Sequence, residues 1–308
     1  MARTRRLQSD PLIFFSALGF ILVFVAATLA FGDQARETYA AVSGWLMDHF
    51  TWLYVGGVSA TLIFLIVVFV SRYGNLRLGD DDDEPEYSYP VWFAMLFAAG
   101  MGATLMFWGA AEPLNHAYNP PRGGYDSMSR DAIIQAFQFT YYHFGIHMWV
   151  IFTLPGLAVG YFVYKRKMPA RMSSMFSPLL GGKVYDTPGK LLDALGIIGT
   201  VFGLAVSVGL GVLQISAGMN ILWDVPLVTP VQIGIICAIT IAASISVATG
   251  LDKGVKILSN LNIAGTILLM IFVLFTGPTL KLLGQITESV GIYAQSLPEL
   301  MFWVDSYN

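Results

Sequence analysis

Residues 98–109 read AAGMGATLMFWG and lie within the third long apolar run of the chain. Two glycines, Gly100 and Gly102, are one residue apart in this stretch. Each weakens a helix by about 1 kcal/mol relative to alanine, so a membrane-spanning helix can unwind here. Unwound backbone at that depth is tolerated only where it lines a cavity or is buried, and secondary transporters hold substrate and ions at such breaks. Close packing against a neighbouring helix is the alternative interpretation.

The composition places this stretch in a membrane protein. Of 308 residues, 56% are apolar and only 12% are charged, and the mean hydropathy is +0.64. A soluble globular domain carries about 25% charged residues. The net charge of −3 provides no basic field for nucleic acid, so no nucleic-acid partner is expected. The single cysteine, Cys237, cannot form a disulfide within the chain. We therefore predict an all-α integral membrane protein.

Seven stretches are long and apolar enough to cross about 30 Å of hydrocarbon as helices. They are 12–32, 52–71, 90–110, 132–164, 191–222, 230–249 and 255–277. None alternates with a period of two, which argues against membrane strands. Apolar residues then recur at spacings of three and four from Leu283 to Val304. This pattern predicts an amphipathic helix at the outer membrane interface, interrupted at Pro298.

Basic residues predict the orientation. With a cytoplasmic N-terminus, the inside segments are 1–11, 72–89, 165–190 and 250–256. These segments hold every lysine and arginine except Arg36, Arg122, Arg130 and Lys281. The positive-inside rule assigns such segments to the cytoplasm. The prediction is a multi-pass protein of the inner (plasma) membrane with a cytoplasmic N-terminus, surrounded by the lipid bilayer.

The fourth apolar run holds candidate ligand-binding side chains. His143 and His147 are one helical turn apart, a spacing that suits two zinc ligands, although the sequence has no HExxH motif and indicates no third ligand. Polar contacts between helices are the alternative. Phe144, Trp149 and Phe152 lie within a few turns, and an aromatic face attracts a desolvated quaternary ammonium by about 0.5–2 kcal/mol. Anchoring at the lipid interface is the competing interpretation of these aromatics.

Small residues recur at every fourth position of the fifth run. They are Gly199, Gly203, Ser207 and Gly211. This spacing predicts that another helix packs closely on that face. Thr200 and Gln214 add polar atoms to the same helix, and such groups are more often interhelical hydrogen bonds than ion ligands.

Taken together, these runs resemble the betaine/carnitine/choline transporter family. The matching segments are GMG at 100–102, LMFWGAAEP at 105–113, HFGIHMW at 143–149, SPLLG at 177–181, GTVFG at 199–203 and GLGVLQISAG at 209–218. The resemblance runs from about residue 10 to the end of the chain. Its order and spacing make it far more specific than any single motif.

The resemblance implies a twelve-span fold in which two leading helices precede two inverted five-helix repeats, as in leucine-transporter-like proteins. Residues 1–89 would hold the N-terminal tail and the leading helices. Residues 90–279 would form the first repeat and residues 280–308 the amphipathic helix on the periplasmic side. The second repeat would be absent, so we expect an N-terminal fragment. The family also implies a homo-oligomer, specifically a trimer.

The resemblance further implies site residues, by position. Those expected to bind substrate are Gly100, Met101, Gly102, Thr104, Phe144, Trp149 and Phe152. Those expected at a sodium site are Ala98, Met101 and Thr200. Phe144 stands where many members have tryptophan, and Thr104 stands where glycine or aspartate is usual. Leu204 replaces the hydroxyl partner of Thr200. These departures from the family pattern mean that the resemblance does not identify the substrate or the coupling ion.

The expected function is secondary active transport, by alternating access, of a quaternary ammonium or related zwitterion such as glycine betaine, carnitine or choline. Sodium symport, proton symport and exchange stay open, and no organic cofactor is expected. One alternative is a membrane-embedded enzyme that binds a metal through His143, His147 and Glu112. Another is a subunit that binds ligand without transporting it. The enzyme would bind a stoichiometric metal and show no vectorial uptake.

Overall fold

A computed structural model of the chain describes residues 10–100, 102–250 and 254–306. In these ranges it contains helices and no β-strand. The α-helices are α1 (Pro11–Val70), α2 (Tyr89–Gly100), α3 (Ala103–Tyr118), α4 (Arg130–Phe144), α5 (Ile146–Gly160), α6 (Ser177–Leu180), α7 (Thr187–Trp223), α8 (Thr229–Ala248), α9 (Lys256–Thr276) and α10 (Thr279–Leu300). The predictions for Met101 and for the basic residues before Asp10 lie outside the described residues. The all-helical class is confirmed.

Helix α1 joins the first two predicted spans and turns sharply at Gly32. Asp10 is the N-cap residue that precedes α1. Its carboxylate accepts hydrogen bonds from two backbone N–H groups of the first turn. Gly32 has a φ of +47°, which favours glycine. Tyr39 stacks on Phe24 with ring centroids 5.1 Å apart, whereas straight helix would separate them by about 22 Å. The chain therefore reverses at Gly32, and residues 33–51 are helical.

The third predicted span is interrupted where its two glycines lie. Helix α2 ends at Gly100, and α3 begins at Ala103. Gly102 between them is extended, with φ −96° and ψ −179°. Of the two interpretations of this stretch, the structure supports an unwound helix.

The fourth predicted span is also divided, which the sequence analysis did not predict. Helix α4 ends at Phe144 and α5 begins at Ile146, with Gly145 in a non-helical conformation (φ −87°, ψ −140°). A Cβ atom at Gly145 would overlap the carbonyl oxygen of Tyr141 and lie 3.1 Å from the phenol oxygen of Tyr293. The close approach of these two residues explains why glycine is needed here.

This division removes the basis of one prediction. The shared face of His143 and His147 was predicted from an unbroken helix through Gly145, and the helix ends there. Phe144 and Trp149 likewise belong to different helices.

The remaining long helices match their predicted spans closely. Helices α7, α8 and α9 cover the fifth, sixth and seventh apolar runs. Helix α10 is the predicted amphipathic helix, and Tyr293 and Leu300 are buried on one of its faces. The predicted interruption at Pro298 is wrong, because α10 continues to Leu300. A proline so close to the end of a helix disturbs few backbone hydrogen bonds.

Among the described residues, five helical stretches are long and apolar enough to cross a membrane, whereas seven spans were predicted from the sequence. They are Pro11–Val70, Arg130–Lys165, Thr187–Trp223, Thr229–Ala248 and Lys256–Thr276. The number differs because the first two runs lie in one 60-residue helix and the glycine break shortens the third. Apolar side chains on these helices are largely exposed, such as Phe69 and Ile221 at 81% each. In water each would cost about 25 cal/mol per Å² of apolar surface, so the chain is a multi-pass membrane protein.

The chain forms two compact units. The first comprises Met1–Asp83, His147–Gly203 and Met301–Asn308, and the second comprises Glu84–Ile146 and Leu204–Leu300. Within the first unit, buried Asp193 accepts hydrogen bonds from the backbone N–H of Ser173 (2.8 Å) and from its hydroxyl (3.1 Å). Within the second unit, α3 packs on α4, α4 on α10, and α2 on α9. The domain boundaries expected at 89/90 and 279/280 stay a prediction.

Candidate functional site

The glycine break exposes backbone next to open space. The N–H of Gly102 donates to the carbonyl oxygen of Gly100 at 3.1 Å. Gly102 is exposed, and a Cβ atom built on it would meet no described atom within 4 Å. Helix α3 begins directly after it without a side-chain cap on its first N–H groups. The break therefore presents peptide groups and a helix N-terminus to a ligand.

Thr104 follows the break and contacts another helix. Its hydroxyl donates to the hydroxyl oxygen of Ser207 on α7 at 3.2 Å. Ser207 belongs to the small-residue series, so the predicted close approach of a helix is found at this position. At Gly199 and Gly203 a Cβ atom would meet no described atom within 4 Å. The predicted close packing is therefore not found at those two glycines.

The structure brings together two of the three predicted aromatic residues. Trp149 and Phe152 lie on α5 with ring centroids 6.0 Å apart and ring planes inclined by 44°. They are 38% and 60% exposed, so both rings have free faces. Phe144 is the last residue of α4 and belongs to the other compact unit.

The predicted sodium ligands also fall in different units. Ala98 lies in the last turn of α2 and is half-buried. Thr200 lies on α7, where its hydroxyl donates to the carbonyl oxygen of Gly196 at 2.8 Å. Thr200 lines a cavity of about 610 Å³ together with Arg171 and Asp193. Its hydroxyl oxygen retains lone pairs that can face a cation.

A polar cluster joins α3 to α4. The Oε1 atom of Glu112 lies 3.2 Å from Nε2 of His116, one turn further along α3. The same oxygen contacts Nδ1 of His143 on α4. Glu112 is buried at 7% exposure. The sequence analysis proposed His143 and Glu112 with His147, but His147 follows the break at Gly145 and lies in the other unit.

His116 takes the position that the sequence analysis gave to His147. The signal that could have found it is its spacing of four residues from Glu112, which places both on one face of a helix. His143 and His147 have the same spacing of four residues, but Gly145 lies between them, where the helix ends.

Helix α10 is held on α4 by polar contacts as well as apolar ones. Arg122 pairs with Glu299 through Nη1 and Oε1 at 2.8 Å, and its guanidinium lies 5.7 Å from the ring centroid of Phe139. The amide of Gln138 donates to the hydroxyl of Ser296 at 2.8 Å. These contacts fix the amphipathic helix to the end of the broken fourth span.

A membrane helix that is broken at mid-span is typical of secondary transporters. Residues 12–308 match the profile of the BCCT family, described as betaine/carnitine/choline family transporter. The chain belongs to this family, which confirms the resemblance found in the sequence.

Individual relatives agree with this assignment. The chain is 62% identical over 301 residues to the ectoine/glycine betaine/proline transporter of Corynebacterium glutamicum, covering 98% of this chain and 49% of that protein. It is 37% identical to a glycine betaine transporter of Acinetobacter baylyi, covering 97% and 45%. It is 36% identical to the high-affinity choline transport protein of Escherichia coli K12, covering 92% and 42%. The chain thus spans about half the length of these relatives or slightly less.

The family consists of transporters rather than enzymes. The alternative of a metal-dependent enzyme therefore has no support from the comparisons.

Proposed function

We propose that the chain is part of a secondary active transporter that carries a compact zwitterionic or quaternary ammonium solute. The observation that carries this proposal is the 62% identity, over 98% of the chain, to a transporter of ectoine, glycine betaine and proline. Glycine betaine is the first substrate to test, since it also appears in the name of a second relative. Carnitine and choline belong to the same chemical class. Uptake of such solutes protects cells against osmotic stress.

The proposed topology has seven spans and the first half of a leucine-transporter-like inverted repeat. The turn at Gly32 supports two passes within α1, and α2 with α3 would form one broken pass. The other passes are α4 with α5, then α7, α8 and α9. In this topology 1–89 are the leading segment, 90–279 the first repeat, and 280–308 an interfacial segment on the periplasmic side.

The orientation and assembly follow from the same proposal. The distribution of lysine and arginine supports a cytoplasmic N-terminus in the plasma membrane. A homotrimer is proposed from the family alone. Alternating access requires one repeat to move against the other around a shared site, so a second repeat completes the site.

The proposed substrate site has two chemically different parts. At the break, the uncapped N–H groups at the start of α3 suit a carboxylate, because the N-terminal end of a helix carries partial positive charge. Gly100, Met101, Gly102 and Thr104 belong to this part. The aromatic part is Trp149 and Phe152, with Phe144 contributed by α4. A quaternary ammonium has no N–H to donate, so ring faces are its main favourable contacts.

Sodium is the proposed coupling ion. The carbonyl group of Ala98 lies in the last turn of α2, and the last carbonyls of a helix lack partners within it. Met101 is proposed as a second ligand from the family resemblance alone. The hydroxyl oxygen of Thr200 is the third proposed ligand. Sodium-dependent uptake would distinguish this mechanism from proton symport and from exchange.

The experiment is uptake of labelled glycine betaine into proteoliposomes by the full-length transporter that contains this chain. Trp149→Leu keeps apolar bulk and removes the ring, so we expect a loss of affinity of about 5- to 30-fold. Trp92→Leu, on the exposed side of α2, is the matched control and should leave the affinity unchanged. Equal effects of the two variants at matched expression would refute the aromatic site. Replacing Na⁺ by K⁺ should abolish uptake.

A further inference from the structure

Three side chains that can bind a metal converge between α3 and α4. Two imidazole nitrogens, from His116 and His143, point at the same carboxylate oxygen of Glu112. His143 is 31 residues from Glu112 in sequence, so the tertiary fold brings them together. The three ligand atoms all lie within 4.8 Å of one another.

The chemistry of this group suits a divalent transition metal. Zinc binds imidazole nitrogen and carboxylate oxygen at about 2.0–2.2 Å, so ligand atoms of a tetrahedral site lie about 3.3 Å apart. The observed separation of Glu112 Oε1 and His116 Nε2, 3.2 Å, is close to that value. Glu112 supplies the negative charge, and it is fixed by burial at 7% exposure. The His143 side chain is 44% exposed and gives an ion a route of approach.

We propose that Glu112, His116 and His143 form a binding site for a zinc-class divalent cation. The ion takes three protein ligands and retains an open fourth position, and it links α3 to α4. The site contains none of the residues proposed to bind substrate or sodium. Because α3 starts at the glycine break, a bound ion would hold that helix against α4, and in the proposed transporter it would slow substrate uptake.

The test measures metal binding directly, so its outcome does not depend on transport. The 308-residue chain is purified in detergent without a histidine tag and titrated with Zn²⁺ by calorimetry, and with Co²⁺ by visible absorption. We expect one ion per chain and a Co²⁺ spectrum typical of tetrahedral coordination. Absence of saturable binding at one ion per chain would overturn the proposal.

Variants of single histidines assign the site. His143→Gln removes a partly exposed ligand and should weaken binding at least about tenfold, since even residues that only orient a ligand cost 10- to 100-fold. His49→Gln is the matched control, because His49 is exposed and stacks on Trp45 of the same helix, with ring centroids 4.7 Å apart. It should bind zinc as the unmodified chain does. Equal zinc affinity of His143→Gln and the unmodified chain would contradict the assignment.

A measurement on the unmodified protein avoids any effect of substitution on folding. Diethyl pyrocarbonate modifies accessible histidines, and peptide mass spectrometry reports each one separately. Saturating Zn²⁺ should protect His116 and His143, whose nitrogens would be coordinated, and should leave His49 as reactive as before. Unchanged modification of His143 in the presence of Zn²⁺ would reject the site.

Discussion

The third and the fourth predicted spans are each interrupted at a glycine, and the surroundings of these two interruptions differ. At the first, a methyl group added to Gly102 would meet no described atom within 4 Å. At the second, a methyl group added to Gly145 would overlap the Tyr141 carbonyl oxygen and approach the Tyr293 phenol. The second break is crowded by protein, whereas the first faces open space.

The difference teaches that glycine serves two purposes in these helices. At Gly145 the absence of a side chain is a packing requirement, because the Tyr141 carbonyl oxygen and the Tyr293 phenol oxygen occupy the space that a Cβ atom would need. At Gly102 the backbone is extended and tolerates any residue, so the structure gives no packing reason for glycine. The low helix propensity of glycine is the physical reason that applies there, because it favours the unwound backbone.

The largest effect on stability is expected at the crowded break. Gly145→Ala forces backbone or Tyr293 to move, and overpacking of this kind costs about 1–3 kcal/mol. Thermal unfolding in detergent, followed by circular dichroism, should show a lower midpoint than the unmodified chain.

Gly102→Ala is the matched control at the open break. Its stability should lie within about 0.5 kcal/mol of the unmodified chain, since nothing occupies the space of the methyl group. In the proposed transporter the same change should weaken uptake of glycine betaine, the proposed substrate. If Gly102→Ala destabilised the chain as much as Gly145→Ala does, the two breaks would not differ as described.

A smaller loss of stability is expected when the hydrogen bond between Thr104, just after the first break, and Ser207 is removed. Thr104→Val removes the hydrogen bond to Ser207 and should cost about 0.5–1.5 kcal/mol of stability. Thr287→Val is the control, because the exposed Thr287 hydroxyl donates to the Leu283 carbonyl oxygen of its own helix, at 2.9 Å. Combining Thr104→Val with Ser207→Ala should cost less than the sum of the single changes. Strict additivity would show that the two hydroxyls do not interact.

The smallest effect is expected away from both breaks, in the predicted cytoplasmic segments. Lys167 pairs with Asp80 at 2.7 Å, and both side chains are 62% exposed. The hydrogen bond from Lys167 lowers the pKa of Asp80, and the bond to Asp80 raises the pKa of Lys167. The pair therefore stabilises at neutral pH. Its contribution is lost as the pH falls through the lowered pKa of Asp80 or rises through the raised pKa of Lys167.

Solvent screens this pair, so Asp80→Asn should change the unfolding midpoint at pH 7 by less than Thr104→Val does. The difference between Asp80→Asn and the unmodified chain should vanish in acid, where Asp80 is protonated. A difference that persisted in acid would mean that the substitution acts through something other than the ion pair.

Local patterns were sufficient to predict much of this molecule. The apolar runs of α7, α8 and α9 predicted these helices within a few residues, because in a bilayer about 20 apolar residues can satisfy their backbone groups only as a helix. The unwinding at Gly100 and Gly102 was also predictable, since two nearby glycines weaken a helix by themselves. The motif order was enough to indicate the family.

Contacts between residues far apart in sequence decided the rest. The Tyr293 phenol oxygen, 3.1 Å from a Cβ atom built at Gly145, lies on α10, and no local pattern around residue 145 records that neighbour. For the same reason the sequence pattern suggested His143 and His147 as neighbouring ligands, whereas in the structure His143 lies beside Glu112 and His116. Helical spacing predicts which side chains share a face only while the helix is unbroken. Which residues meet at Glu112 depended instead on the packing of α3 against α4, which spacing along one helix does not record.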